Sequence, residues 1–69
     1  MKRTILPLAA MEKLLKKSGA ERVSDESKDA LREILEEFAD ELGKKAVKFA
    51  IHSGRKTVKA TDVKLAKTH

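Results

Sequence analysis

The chain has 69 residues and a mass of 7.7 kDa, enough for one domain, and a monomer of this size buries only about 60% of the surface its unfolded chain exposes. The absence of cysteine excludes a disulfide framework and a thiolate metal site, and 3% aromatic residues are too few for a single-strand reader that stacks bases on aromatic platforms. Charged residues make up 39% and the mean hydropathy is -0.47, which does not suit a membrane span. The basic start Met1-Lys2-Arg3 leads into a short apolar run, Ile5 to Met11, that passes straight to Glu12-Lys13. No secretory signal is therefore expected, and a cytoplasmic protein is the default expectation.

Residues 1–5 are expected to form a flexible start to a single domain spanning 1–69. Pro7 suits the first helical position, where its missing N–H costs nothing, and Leu8, Met11, Leu14 and Leu15 recur at helical spacing. Ser18-Gly19 closes this first helix, with Gly19 placed for a left-handed conformation. Ser24 is a good N-cap for the second helix, and Asp25 and Glu26 sit where the positive end of the helix dipole favours acids. From there Leu31, Ile34, Leu35, Phe38, Leu42, Ala46, Phe49 and Ala50 keep one apolar stripe as far as Ser53-Gly54. After the loop Gly54-Arg55-Lys56-Thr57-Val58, a short third helix begins near Ala60 or Thr61 and carries Val63, Leu65 and Ala66.

A helix of nearly thirty residues is about 45 Å long, too long for two short helices to cover. The stripe must find a second molecule, so the chain is expected to be an obligate homodimer with crossed long helices. Its interface is read as Leu31, Leu35, Phe38, Ala39, Leu42 and Ala46. Ala39 and Gly43, near the helix midpoint, mark where two backbones approach. A mid-helix glycine costs roughly 1 kcal/mol relative to alanine, and close packing offsets that cost. The other reading of Gly43 is a glycine tolerated on a solvated face.

Net charge is +5, with a pI near 9.7, and its distribution is more informative than its sum. Residues 1–23 hold six basic side chains against two acidic ones, +4; residues 24–43 hold two against eight, −6; residues 44–69 hold eight against one, +7. Basic flanks around an acidic middle can gather all the attraction for a polyanion on one side of a fold. A merely solvated surface is the alternative.

Short helix, loop, long helix, loop, short helix is the pattern of the histone fold, and the loops carry matching words. The segments Gly19-Ala20-Glu21-Arg22-Val23-Ser24 and Gly54-Arg55-Lys56-Thr57-Val58-Lys59-Ala60, with Leu6-Pro7-Leu8-Ala9 before the first helix and Asp62 in the third, resemble archaeal histones over nearly the whole chain. The resemblance implies an all-α histone fold in an intertwined head-to-tail homodimer. In it, the first loop of one protomer lies beside the second loop of the other and forms a paired-loop site for double-stranded DNA. It assigns Arg22 to the minor groove, with Thr57 beside it holding the guanidinium, a mode of binding known for the histone octamer. Lys56 and Lys59, and Lys13, Lys16 and Lys17 on one face of the first helix, become phosphate contacts. A solvated role remains the alternative for each lysine. The residues themselves agree, since Arg22, Arg55, Lys56 and Thr57 crowd into one basic surface, all four expected to bind DNA, and Val23 and Val58 suit a brief strand pair between chains.

By the same resemblance Arg55 and Asp62 form an intrachain ion pair bracing the second loop, the alternative being a screened surface pair. Phe49, His52, Asp62 and Leu65 match positions where archaeal histone dimers meet in a four-helix contact. For His52 the other reading is a histidine favoured by the helix dipole. His52 and the terminal His69 have no metal-ligand spacing, and no catalytic constellation is visible. Three departures from the family pattern bear on assembly: Glu12 stands where a small glycine is common, Lys13 where arginine is frequent, and the third helix ends at Lys67-Thr68-His69 without an extended basic end.

The expected function is an architectural chromatin protein, associated with the chromosome in the nucleoid, that binds, bends and wraps double-stranded DNA with little sequence specificity and compacts it. No cofactor, metal, small-molecule substrate or membrane enters this reading. The alternative is a histone-fold interaction module that heterodimerises, as with another histone, and leaves DNA to its partners. A pure interaction module has no need to keep Arg22, Arg55, Lys56 and Thr57 together. A sequence-specific regulator needs a longer, Asn- or Gln-bearing recognition helix, and an enzyme is the least expected outcome.

Overall fold

The computed structural model describes residues 5–68; of the expected flexible start, residues 1–4 lie outside the described residues, as does His69. Three helices follow in order: α1 Leu8–Lys17, α2 Asp25–His52 and α3 Ala60–Thr68. No described residue lies in a strand, so the chain is all-α in the short, long, short order. At 28 residues, α2 is about 42 Å long. Two compact units divide the backbone, Met1–Glu37 and Phe38–His69, and α2 contributes to both.

In the first unit Pro7 is the N-cap of α1 and not its first helical residue. Its extended backbone (φ -75, ψ 142) still lets its carbonyl accept the Ala10 N–H at 3.2 Å. The helix closes in a Schellman motif, with the Gly19 N–H donating to the Lys16 carbonyl at 3.0 Å and the Ala20 N–H to the Leu15 carbonyl at 3.1 Å. Met11 is buried and Leu15 half-buried, while Leu8 and Leu14 reach solvent. Polar contacts supplement this small apolar set. Lys28 Nζ lies 3.4 Å from Glu12 Oε1 and 3.0 Å from Asp25 Oδ1. The hydrogen bond to Asp25, followed by the pull of Glu12, holds the Lys28 ammonium above its ordinary pKa. Glu36 Oε1 accepts the backbone N–H groups of Ile5 and Leu6, the latter at 2.8 Å, so the chain is tied down from Ile5 onward. Those two N–H groups hold the Glu36 carboxyl below the usual range. Ser24 caps α2 as expected, its Oγ accepting the Ser27 N–H at 3.1 Å.

The second unit is built over small side chains. Ala46 and Ala50, one turn apart on α2, and Ala66 on α3 are its buried apolar residues. A second Schellman motif ends α2, with Gly54 (φ +74) donating to the Ile51 carbonyl at 2.9 Å and the Arg55 N–H to the Ala50 carbonyl at 2.9 Å. Along α2, Phe38 is 57% exposed and Ile34 63%, Ala39 is exposed, and Leu31, Leu35, Leu42 and Phe49 are half-buried. Ala46, expected at the interface with a second copy, is already covered within its own protomer.

Gly54 holds a left-handed conformation that costs an L side chain about 1–2 kcal/mol. Gly54→Ala is expected to lower the melting temperature by roughly 4–16 °C, read by circular dichroism at matched protein concentration, with helix content before melting unchanged.

Candidate nucleic-acid interface

Loop residues 53–59 are shaped by one buried carboxylate. Asp62, in the first turn of α3, is 2% exposed. Its Oδ2 lies 2.9 Å from Arg55 Nη1 and its Oδ1 2.9 Å from Arg55 Nη2, a bidentate pair. The Lys59 N–H donates to Oδ2 at 2.7 Å, a reach-back from the third helical position toward the residue preceding the helix, as in half of a capping box. Arg55 Nη1 also donates to the Thr57 carbonyl at 2.8 Å. One acid thus fixes the start of α3, the guanidinium of Arg55 and, through it, the backbone at Thr57.

The expected ion pair between Arg55 and Asp62 is therefore made, and it changes the part of Arg55. Its charge is paired with Asp62 at short range, so Arg55 braces the loop, and Lys56 and Lys59 carry the loop's exposed positive charge. Lys56, Thr57 and Lys59 are all exposed. In the first unit Arg22 is exposed in the loop between α1 and α2, with Val23 half-buried beside it, and Lys13, Lys16 and Lys17 are exposed on α1. Lys16 and Lys17 occupy its last turn, where cations complement the dipole. Of the expected contact between dimers, His52 and Leu65 are exposed and Phe49 half-buried, whereas Asp62 has both oxygens engaged inside the protomer. Glu12 is not a bare charge, being paired with Lys28.

Two contributions escape the sequence reading. Glu36 anchors a backbone 30 and 31 positions away, a distance at which spacing carries no signal. The reach-back of Asp62 to Lys59 has a local signal, an acid three residues after the residue that precedes the helix. Among the described residues no group of histidine, aspartate and glutamate gathers to hold a metal ion, and no helix is long and apolar enough to cross a membrane.

The Arg55 hydrogen bond, then the Lys59 N–H, hold the Asp62 carboxyl at about 2, below its ordinary 3.8. A depressed carboxyl stabilises the fold fully above its unfolded value and loses that contribution as pH falls through the folded one. Asp62→Asn is expected to melt lower than the parent near neutral pH by roughly 5 °C or more. That gap should close as pH falls from 3.8 towards 2, in melts recorded across this range.

The profile of the family described as histone-like transcription factor (CBF/NF-Y) and archaeal histone matches residues 4–66. One chain of the archaeal histone HAN1 of Thermococcus zilligii, named as a subunit, is 61% identical over 61 residues, covering 88% of this chain and 91% of that protein. Probable archaeal histone 3 of Methanocaldococcus jannaschii is 49% identical over 61 residues with the same coverage. With three helices in the short, long, short order, a braced second loop and a family match spanning nearly its whole length, the chain belongs to the family of histone-like transcription factors (CBF/NF-Y) and archaeal histones, as a histone-fold DNA-binding protein of chromatin.

Proposed function

We propose that this protein is an architectural DNA-wrapping histone of the nucleoid, acting as one domain over residues 1–69 and as a homodimer. The observation that carries the reading is the braced second loop, in which Arg55 and Asp62 neutralise each other while Lys56, Thr57 and Lys59 stay exposed. In a head-to-tail dimer this loop meets the partner's first loop, bringing Arg22 beside Thr57. The guanidinium enters the minor groove, and Lys56, Lys59, Lys13, Lys16 and Lys17 neutralise phosphates on either side. Such a surface reads width and deformability and not base edges, so binding is steeply salt-dependent and nearly indifferent to sequence. Apolar burial along Leu31, Leu35, Phe38, Ala39 and Leu42 holds the dimer. A second contact through Phe49, His52 and Leu65 joins dimers, chiefly on DNA, where neighbouring sites raise the effective concentration. The small apolar area of this patch keeps that contact weak in free solution.

The relative from Thermococcus zilligii carries a name that makes it one component of a larger unit. That name supports a second reading, a heterodimer with another histone-fold chain. It is separated from the first by whether the chain alone associates and bends DNA.

Arg22→Ala is expected to weaken binding to every duplex by about tenfold and to reduce bending, while Lys44→Ala, a charge paired with Asp40 on α2, changes affinity by at most about twofold. Gel-shift and bending assays on random-sequence duplexes read both. Equal losses would count against the paired-loop site. For assembly, Leu65→Glu should leave intact a dimer melt whose midpoint rises with protein concentration. On long DNA the same variant should shorten nuclease-protected fragments. Fragments as long as the parent's would remove this surface from the contact between dimers.

A further inference from the structure

Arg22 has no polar contact of its own to hold it. Among the described residues Glu21, Arg22 and Val23 make no hydrogen bond or ion pair, whereas their loop is fixed at both ends, by the Schellman motif after α1 and by the Ser24 cap of α2. Where Arg22 stands is therefore set by how α1 lies against α2. Met11 is the buried residue of α1. Apolar burial is non-directional, so Met11 holds the helix down without fixing its rotation.

Glu12, the next residue along, supplies the direction. Its carboxylate lies 3.4 Å from the Lys28 ammonium, reaching from α1 to the first turn of α2. The Lys28 side chain is only 17% exposed, and lysines are rarely covered unless paired. Its second carboxylate, Asp25 at 3.0 Å, belongs to the same helix and stands in solvent, where such a pair contributes little. Of the two, the contact with Glu12 joins separate elements. Glu36 ties Ile5 and Leu6, which lie ahead of α1 at the end away from the loop. A rotation of α1 moves Lys13, Lys16 and Lys17 together with the loop that follows them.

We infer that Lys28 is a positioning residue for DNA binding, which through Glu12 sets the rotation of α1 against α2 and so places Arg22 without touching DNA itself. The inference rests on the paired-loop reading above and adds the residue that aligns its first loop, as Asp62 aligns the second. Lys28 also neutralises an acid that stands next to Lys13 and one turn from Lys16, the phosphate contacts of α1.

The test is a double-mutant cycle on the full chain, with affinity and bending read on random-sequence duplexes at one salt concentration. Lys28→Met keeps an unbranched stem and removes the ammonium. It should weaken binding by about fivefold in the parent, and by less than about twofold in an Arg22→Ala background, where no guanidinium is left to place. A lost phosphate contact or a loosened fold would instead lower affinity by the same factor in both backgrounds. Circular dichroism melts establish that each variant is folded at the assay temperature. Should Lys28→Met not fold, Glu12→Gln, which leaves Lys28 paired with Asp25, carries the same comparison and should be less favourable for binding in the parent than in the Arg22→Ala background. Equal factors in the two backgrounds, including no loss in either, overturn this inference while the paired-loop site stands. If Arg22→Ala alone costs nothing, the paired-loop reading falls, and this inference with it.

Discussion

Water covers more than half the surface of Ile34 and Phe38, 63% and 57% exposed on a helix of 28 residues. Full burial of a large apolar side chain stabilises by roughly 1.5–3 kcal/mol, so these two leave a large driving force unused in a single protomer. The protomer has little to set against it. Its buried apolar residues among those described are Met11 and three alanines, a thin core even for so small a chain. A small core and a long amphipathic helix are two sides of one constraint. With 10 and 9 residues, α1 and α3 are too short to cover a stripe that runs through most of α2.

Polar contacts supplement the sparse core, and they differ in kind between the two units. In the first, Lys28 joins Glu12 and Asp25, and Glu36 gathers two backbone N–H groups at the start of the chain. In the second, a single buried carboxylate satisfies a guanidinium at two points and a backbone N–H at a third. A buried carboxylate with that many donors is stable as an anion. Its partner's charge is consumed in the process, so the loop's remaining cations, Lys56 and Lys59, face solvent around a backbone that is held in place. A loop already held in place loses little entropy when a ligand binds to it.

Much of this is legible in the chain itself. The two Ser-Gly pairs end α1 and α2 because glycine alone enters the left-handed region without penalty. Ser24 with two acids begins α2, and the apolar repeat from Leu31 to Ala50 gives its length. The second-loop words and Asp62 carry the family, and with it the expectation of the brace. These features are local, set within one or two turns of backbone, and local rules read them. Pro7 shows the margin of such rules, since the same fixed φ suits an N-cap as well as a first helical residue.

What the sequence alone determined is the order and limits of three helices, the segregation of charge and the need for an apolar partner surface. Only the tertiary structure decided how particular side chains divide their labour. Ala46 is covered within its own protomer although it lies on the stripe, and periodicity does not say which stripe residues the protomer itself covers. Arg55 becomes a brace because Asp62 is folded against it seven residues away, and Glu36 reaches the chain's start across 30 residues or more. Charges are written in the sequence one by one. Whether a charge is spent inside the protomer or left facing solvent depends on which opposite group the fold brings within about 3 Å.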